Sequence, residues 1–185
     1  MVLPIYLYGH PVLRKVAKEI DKDYENLDKF MENMWDTMYK TDGIGLAAPQ
    51  IGKSVRVFVI DADPLGDEFP EAKDFKRAFI NAHIVEEKGT EWAFNEGCLS
   101  VPNIREDVKR KPQIEIHYYD QEWNYHEDIF DGAMARVIQH EYDHLEGKIF
   151  TDRISPIRRR LIKSKLIAIS KGRTDIKYKF KTAKQ

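Results

Sequence analysis

The stretch from Asp131 to Gly147 constrains this chain most, because it has to be a helix and that helix has to be enclosed. Asp131 suits the position before a first helical turn, and Gly147 suits the stop. Between them Met134, Val137, Ile138 and Leu145 line one side, while Ala133, Val137, His140 and His144 form the adjoining stripe. Positions three and four apart stack on one face of a helix, so the two imidazoles point to one place. With both stripes turned inward, other elements must wrap around this one. Buried histidines with no acid partner close by in sequence are easier to explain as ligands of a divalent metal than as core residues. Glu141 lies beside that face, where a general base for a metal-bound water is wanted.

A catalytic site of this kind takes three protein ligands and keeps a fourth position open. The downstream sequence offers few. Where a third His would follow the second by six residues stands Phe150, and beyond Glu146 the only acids are Asp152 and Asp175. The third ligand therefore comes from upstream. His10, His83, His117, His126 and many carboxylates are available, but the sole cysteine, Cys98, sits in the compact run Glu96–Ser100, EGCLS. A thiolate is the strongest candidate, and Cys98 has no disulfide partner within the chain.

The 185 residues, 42% of them apolar, are enough for one core, so the expectation is a single catalytic domain over residues 1–185. The first apolar run, Val2 to Tyr8, contains Pro4 and is too short for a signal-peptide core or a membrane span. With one cysteine, the chain reads as cytoplasmic and reduced. The net charge of −1 conceals a split: residues 153–185 hold twelve Lys or Arg against one acid, Asp175, leaving −12 on the remainder. That basic helix and tail suit a polyanionic partner, or equally a solvated helix with a frayed end.

Taken in order, the chain turns at Gly9–Pro11 and then shows helical spacing from Leu27 to Thr41, with Leu27, Phe30, Met31, Met34 and Met38 inward. Gly43–Gly52, GIGLAAPQIG, reads as a buried or half-buried loop, Gln50 being its one directed hydrogen-bonding side chain. Val55–Ile60 is a strand, Asp61–Lys76 a surface excursion, and Ala78–Ile80 and Ile84–Glu87 are further strands. Gly97 lets the backbone before Cys98 pass close to a ligand. Ile114–Tyr119 and a second strand to Ile129 form a hairpin that turns His117 outward. After Pro156, Ile157, Leu161, Ile162, Leu166 and Ile169 mark an amphipathic helix whose other face is basic. The fold class is α+β: antiparallel β-sheets wrapped around a central buried HExxH helix, with an N-terminal helix and a C-terminal amphipathic helix.

GIGLAAPQIG, EGCLS and QHEYDHLEG, in that order, resemble the three signature motifs of peptide deformylases. The resemblance implies that Cys98, His140 and His144 bind the metal, that Glu141 is the general acid/base, and that Gln50 with the backbone N–H of Leu99 forms the oxyanion site. It further implies substrate contacts for Ile44, Gly45, Gly97 and Arg105. The activity implied is removal of the N-formyl group from the initiator formyl-methionine of nascent polypeptides, with release of formate. The implied cofactor is one divalent ion per chain, Fe(II) in the cell, with Zn, Ni or Co in purified protein; a His₂Cys set suits several of these. The implied partners are N-formyl-methionyl peptides and, through the basic C-terminal region, the ribosome. Two other readings stand beside it: a metallopeptidase, and a non-catalytic ribosome- or RNA-binding protein with a structural metal.

Overall fold

The apolar spacing between Leu27 and Met38 becomes a helix in the computed structural model, which describes residues 1–183. Helix α1 (Leu27–Lys40) buries Leu27, Phe30, Met31, Met34 and Met38. Before it lies a two-residue strand, β1 (Ile5–Tyr6). His10 caps the short 3₁₀ turn that follows, its Nδ1 accepting from the Val12 N–H at 3.2 Å, so it is a turn residue and not a ligand.

The Gly43–Gly52 run is more regular than a loop. Gly45–Ala47 is a buried strand, β2, and Ala48–Ile51 is a 3₁₀ turn closed by Gly52 in the left-handed conformation. Small side chains allow this: β2 lies flat against β3 (Val57–Asp61), pairing Gly45 with Ile60 and Ala47 with Phe58.

The two strands expected between Ala78 and Glu87 are one long strand, β4 (Lys76–Lys88), bent at register shifts after Ile80 and Ile84. Each bulge breaks the alternation that would have marked a continuous strand. Asn81, at the first shift, has a φ of 52° and exchanges hydrogen bonds with the backbone of Ile20 at 2.9 and 2.7 Å. Trp92–Cys98 (β5) and Val101–Arg110 (β6) form a hairpin of their own. Gln113–Tyr119 (β7) and Tyr125–Asp131 (β8) form the expected one. The main sheet runs β2-β3-β4-β7-β8, antiparallel throughout.

Helix α2 (Gly132–Leu145) lies between that sheet and the β5–β6 hairpin. It packs Met134, Ile138 and Leu145 into the core shared with Phe58, Phe79 and Ile116 of the sheet. On its other side Arg136 donates to the carbonyls of Trp92 and Val108 in the hairpin. Asp131 holds the N-cap position, but its carboxylate accepts from the Gln113 side chain at 2.9 Å and caps nothing. Gly147, with φ of 66°, ends the helix as expected.

Helix α3 (Pro156–Ser170) starts at Ser155, whose hydroxyl accepts from the Arg158 N–H, and buries Ile162, Leu166 and Ile169. The expected stripe is broken at its first turn, where Ile157 is 74% and Leu161 64% exposed. Arg158 and Arg159, though exposed themselves, reach back to the body there, Arg158 gripping Glu106 and Arg159 the Thr151 carbonyl. Part of the basic face is thus spent on the protein itself. Nor is the tail frayed as far as it is described: β9 (Phe180–Lys181) pairs in parallel with β1, the one parallel pair among the named strands of the described residues.

Candidate metal centre

Cys98 ends β5 at a register shift. It pairs with Val101, so Leu99 and Ser100 make the turn of the hairpin. That places the thiol over the part of the α2 stripe that carries His140 and His144. One ligand atom from each of Cys98, His140 and His144 lies within 4.8 Å of the other two. Cys98 Sγ is 3.4 Å from His144 Nε2. Bond lengths of about 2.3 Å to sulfur and 2.0–2.1 Å to nitrogen give a tetrahedral edge of about 3.5 Å, so the spacing fits one ion.

His140 is oriented from behind. Its Nδ1 is 2.9 Å from Glu96 Oε2, leaving Nε2 toward the thiol. Glu96 in turn accepts from Arg110 at 2.7 and 2.9 Å and from Arg136 at 3.0 Å, all buried. Burial disfavours the Glu96 carboxylate, but Arg110 and His140 outweigh it and hold its pKa well below the usual range. Burial likewise pushes the Cys98 thiol up, and the charges and hydrogen bonds of His144 and His140 bring it down to about 5. The surroundings thus favour the thiolate, the form in which a cysteine can bind a metal.

Glu141 follows His140 with its side chain buried, and burial raises its pKa. Its Oε2 has no hydrogen-bond partner among the described residues, nor has His144 Nδ1. A buried carboxylate oxygen without a donor is costly unless a ligand or water completes it. Gly45 makes the room: a Cβ there would run into the Glu141 carboxylate.

Gln50 is 2% exposed. Its Oε1 accepts from the Ala47 N–H at 2.8 Å, which turns the amide nitrogen to the site, 3.4 Å from both Cys98 Sγ and Ser100 Oγ. Gln50 thus faces the site and not water. Leu99 sits in the turn beside it. Ile44, Gly45, Gly97 and Arg105 all line the same cleft of about 660 Å³. Arg105 is anchored by Asn95, its Nε to Oδ1 and its second amino group to the backbone carbonyl, each at 2.8 Å.

The structure also brings in residues that sequence reasoning left out. Leu65 and Phe69, from the supposed surface excursion, line the cleft, and Ala62 and Ala72 of that segment are fully buried. Ile176 and Tyr178 line it from the tail. Buried Arg110 and Asp143 form an ionic chain behind Glu96 that ends on Arg153 at the surface. Asp143 was a readable signal: an acid on a helix that must be enclosed needs a cation.

A family model for polypeptide deformylases matches residues 2–160. The chain belongs to the peptide deformylase family. Two curated peptide deformylases show the extent of the likeness. That of Christiangramia forsetii is 55% identical over 188 aligned residues, covering 98% of this chain and 96% of its own. That of Flavobacterium johnsoniae is 53% identical, covering 99% and 97%. Among solved structures, a peptide deformylase from Plasmodium falciparum superposes with a TM-score of 0.81 at 36% identity, over 91% of this chain and 95% of that one. The Thermotoga maritima peptide deformylase gives 0.75 at 42% identity, over 84% and 99%. The enzyme is thus a deformylase of α+β architecture with a Cys-His-His group able to hold a metal ion. No helix of the described residues is long and apolar enough to cross a membrane.

Proposed function

We propose that this deformylase removes the N-formyl group from the initiator formyl-methionine of nascent chains. The observation that carries the reading is the Glu141 carboxylate, buried and lacking a donor, beside the convergent Cys98, His140 and His144. Those three would hold one divalent ion. When bound, such an ion lowers the pKa of water toward about 7 and polarises a carbonyl.

The chain's own groups complete the reaction. Glu141 takes a proton from the attacking water as its oxygen bonds to the formyl carbon. The carbonyl oxygen becomes negative and is met by the Gln50 amide and the Leu99 N–H. Glu141 then delivers the proton to the leaving nitrogen, the carbon–nitrogen bond breaks, and formate and a free amino terminus result. The raised pKa of Glu141 suits both halves of that transfer. Ile44 and Phe69 offer an apolar wall for a methionine side chain, while Gly45, Gly97 and Arg105 flank the path of the peptide.

Fe(II) is the ion proposed in the cell, with Zn, Ni or Co compatible with the same donors. The proposed setting is the cytoplasm, where nascent chains carry the formyl group. The ribosome is the proposed partner of α3, whose outward Ile157 and Leu161 stand beside exposed Arg160 and Lys163. Charge reversal at Arg160 and Lys163 should weaken co-sedimentation with ribosomes and spare dipeptide turnover; unchanged co-sedimentation would remove that partner.

The test of the main reading is formate release from formyl-Met-Ala by anaerobically prepared, metal-loaded protein, assayed beside cleavage of internal peptide bonds. Formate without internal cleavage is expected, and Glu141→Gln should retain metal and lose about 10²- to 10⁴-fold in turnover. Internal cleavage with the formyl group intact would establish a peptidase instead. Full function in Glu141→Gln would leave the metal a structural role.

A further inference from the structure

Leu99 and Ser100 turn the β5–β6 hairpin, and a turn leaves backbone carbonyls without ladder partners. Both are met from distant parts of the chain. The Ser100 carbonyl accepts from the Tyr8 N–H at 2.8 Å. The Leu99 carbonyl accepts from the Tyr178 hydroxyl at 2.7 Å, across 79 positions.

Tyr178 reaches that carbonyl from a segment fastened on both sides. Ahead of it, Asp175 accepts from the Asn103 side chain at 2.7 Å. Behind it, the Lys179 and Lys181 carbonyls accept from the Ile5 and Leu7 N–H groups, each at 2.9 Å, as β9 joins β1. The ring of Tyr178, with Ile176, lines the cleft that also holds Gln50, Cys98 and Glu141. Asp175, Ile176, Tyr178 and β9 all lie past residue 160, where the family match ends.

A donor helps a transition state only if its direction is set beforehand. The carbonyl fixed by Tyr178 and the N–H of Leu99 belong to peptide planes that share one Cα. Holding the first plane leaves the second only the φ and ψ rotations of Leu99, and the pairing of Cys98 with Val101 bounds it from the other side. We propose that Tyr178 is a positioning residue for deformylation: its hydroxyl fixes the Leu99 turn so that the Leu99 N–H faces the formyl oxygen, while its ring walls the cleft. The inference rests on Leu99 acting as an oxyanion donor.

Tyr178→Phe removes the hydroxyl and keeps the wall. Compared with wild type on formyl-Met-Ala, both metal-loaded, its kcat should fall about threefold to tenfold, the net worth of one hydrogen bond. Its KM should stay put, and its melting temperature should fall by no more than a few degrees. Tyr178→Ala should show the same fall in kcat and, with the wall gone, a raised KM for formyl-Met-Ala-Leu. Unchanged kcat in Tyr178→Phe, a rise in KM alone, or a loss that vanishes after correction for folded fraction would overturn the proposal. Failure of the underlying reading appears in a different arm, as wild type releasing no formate.

Discussion

Glu96 and His140, 44 positions apart, are joined by a 2.9 Å hydrogen bond between the carboxylate and Nδ1. The bond fixes which ring nitrogen is left for a metal, and Arg110 and Arg136 fix the carboxylate. Glu96→Ala should weaken metal affinity about 10- to 100-fold, as loss of a partner behind a ligating histidine generally does. Competition against a chromophoric chelator measures it, and wild-type affinity in the variant would show that His140 orients itself.

Gln50 uses its two amide atoms differently, so they can be separated. Gln50→Glu keeps an acceptor for the Ala47 N–H and removes the donor that faces the site. Turnover of formyl-Met-Ala should fall about 10²- to 10³-fold, the usual cost of one oxyanion donor. A variant with near-normal kcat would place the developing charge elsewhere.

Gly45→Ala tests how closely the β2 backbone has to pass Glu141, the proposed base. The added methyl would meet the Glu141 carboxylate, and a displacement of about 1 Å can cost about 10²-fold in rate. The expected protein is folded, binds metal and turns over slowly. Normal turnover would mean that Glu141 has room to move without consequence.

Asp143 links the centre to stability. Burial disfavours its ionised form, but Arg153 and Arg110 outweigh that and lower its pKa. A carboxylate whose folded pKa lies below its unfolded value contributes stability that is complete at neutral pH. That stability is lost as pH falls through the folded pKa. The urea midpoint should therefore hold from pH 7 to about pH 5 and drop below about pH 4, the unfolded range for Asp. Asp143→Asn should cost about 3–5 kcal/mol at neutral pH, by leaving Arg110 and Arg153 short of a counter-charge, and should flatten the acid slope. An unaltered slope would assign acid sensitivity to other groups.

How much of this was legible depended on whether a signal was local. The α2 stripe, its Gly147 stop, the β7–β8 hairpin and the burial of α1 follow from spacing alone, and the structure has all of them. The bend in β4 was hidden because bulges at Ile80 and Ile84 interrupt alternation. The outward turn of Ile157 and Leu161 was hidden because it depends on Glu106 and Thr151 attracting Arg158 and Arg159 from outside the helix. At the site, the convergence of Cys98 with the two histidines could be argued by elimination among ligands. The reach of Tyr178 to Leu99 could not, since it depends on β9 finding β1 at the opposite end of the chain.

The central claim is that one sulfur and two imidazole nitrogens share one ion. X-ray absorption at the metal edge of zinc-loaded protein tests it most directly. One sulfur at about 2.3 Å with two nitrogens at about 2.0–2.1 Å is the predicted first shell. A shell of nitrogen and oxygen with no sulfur would contradict it.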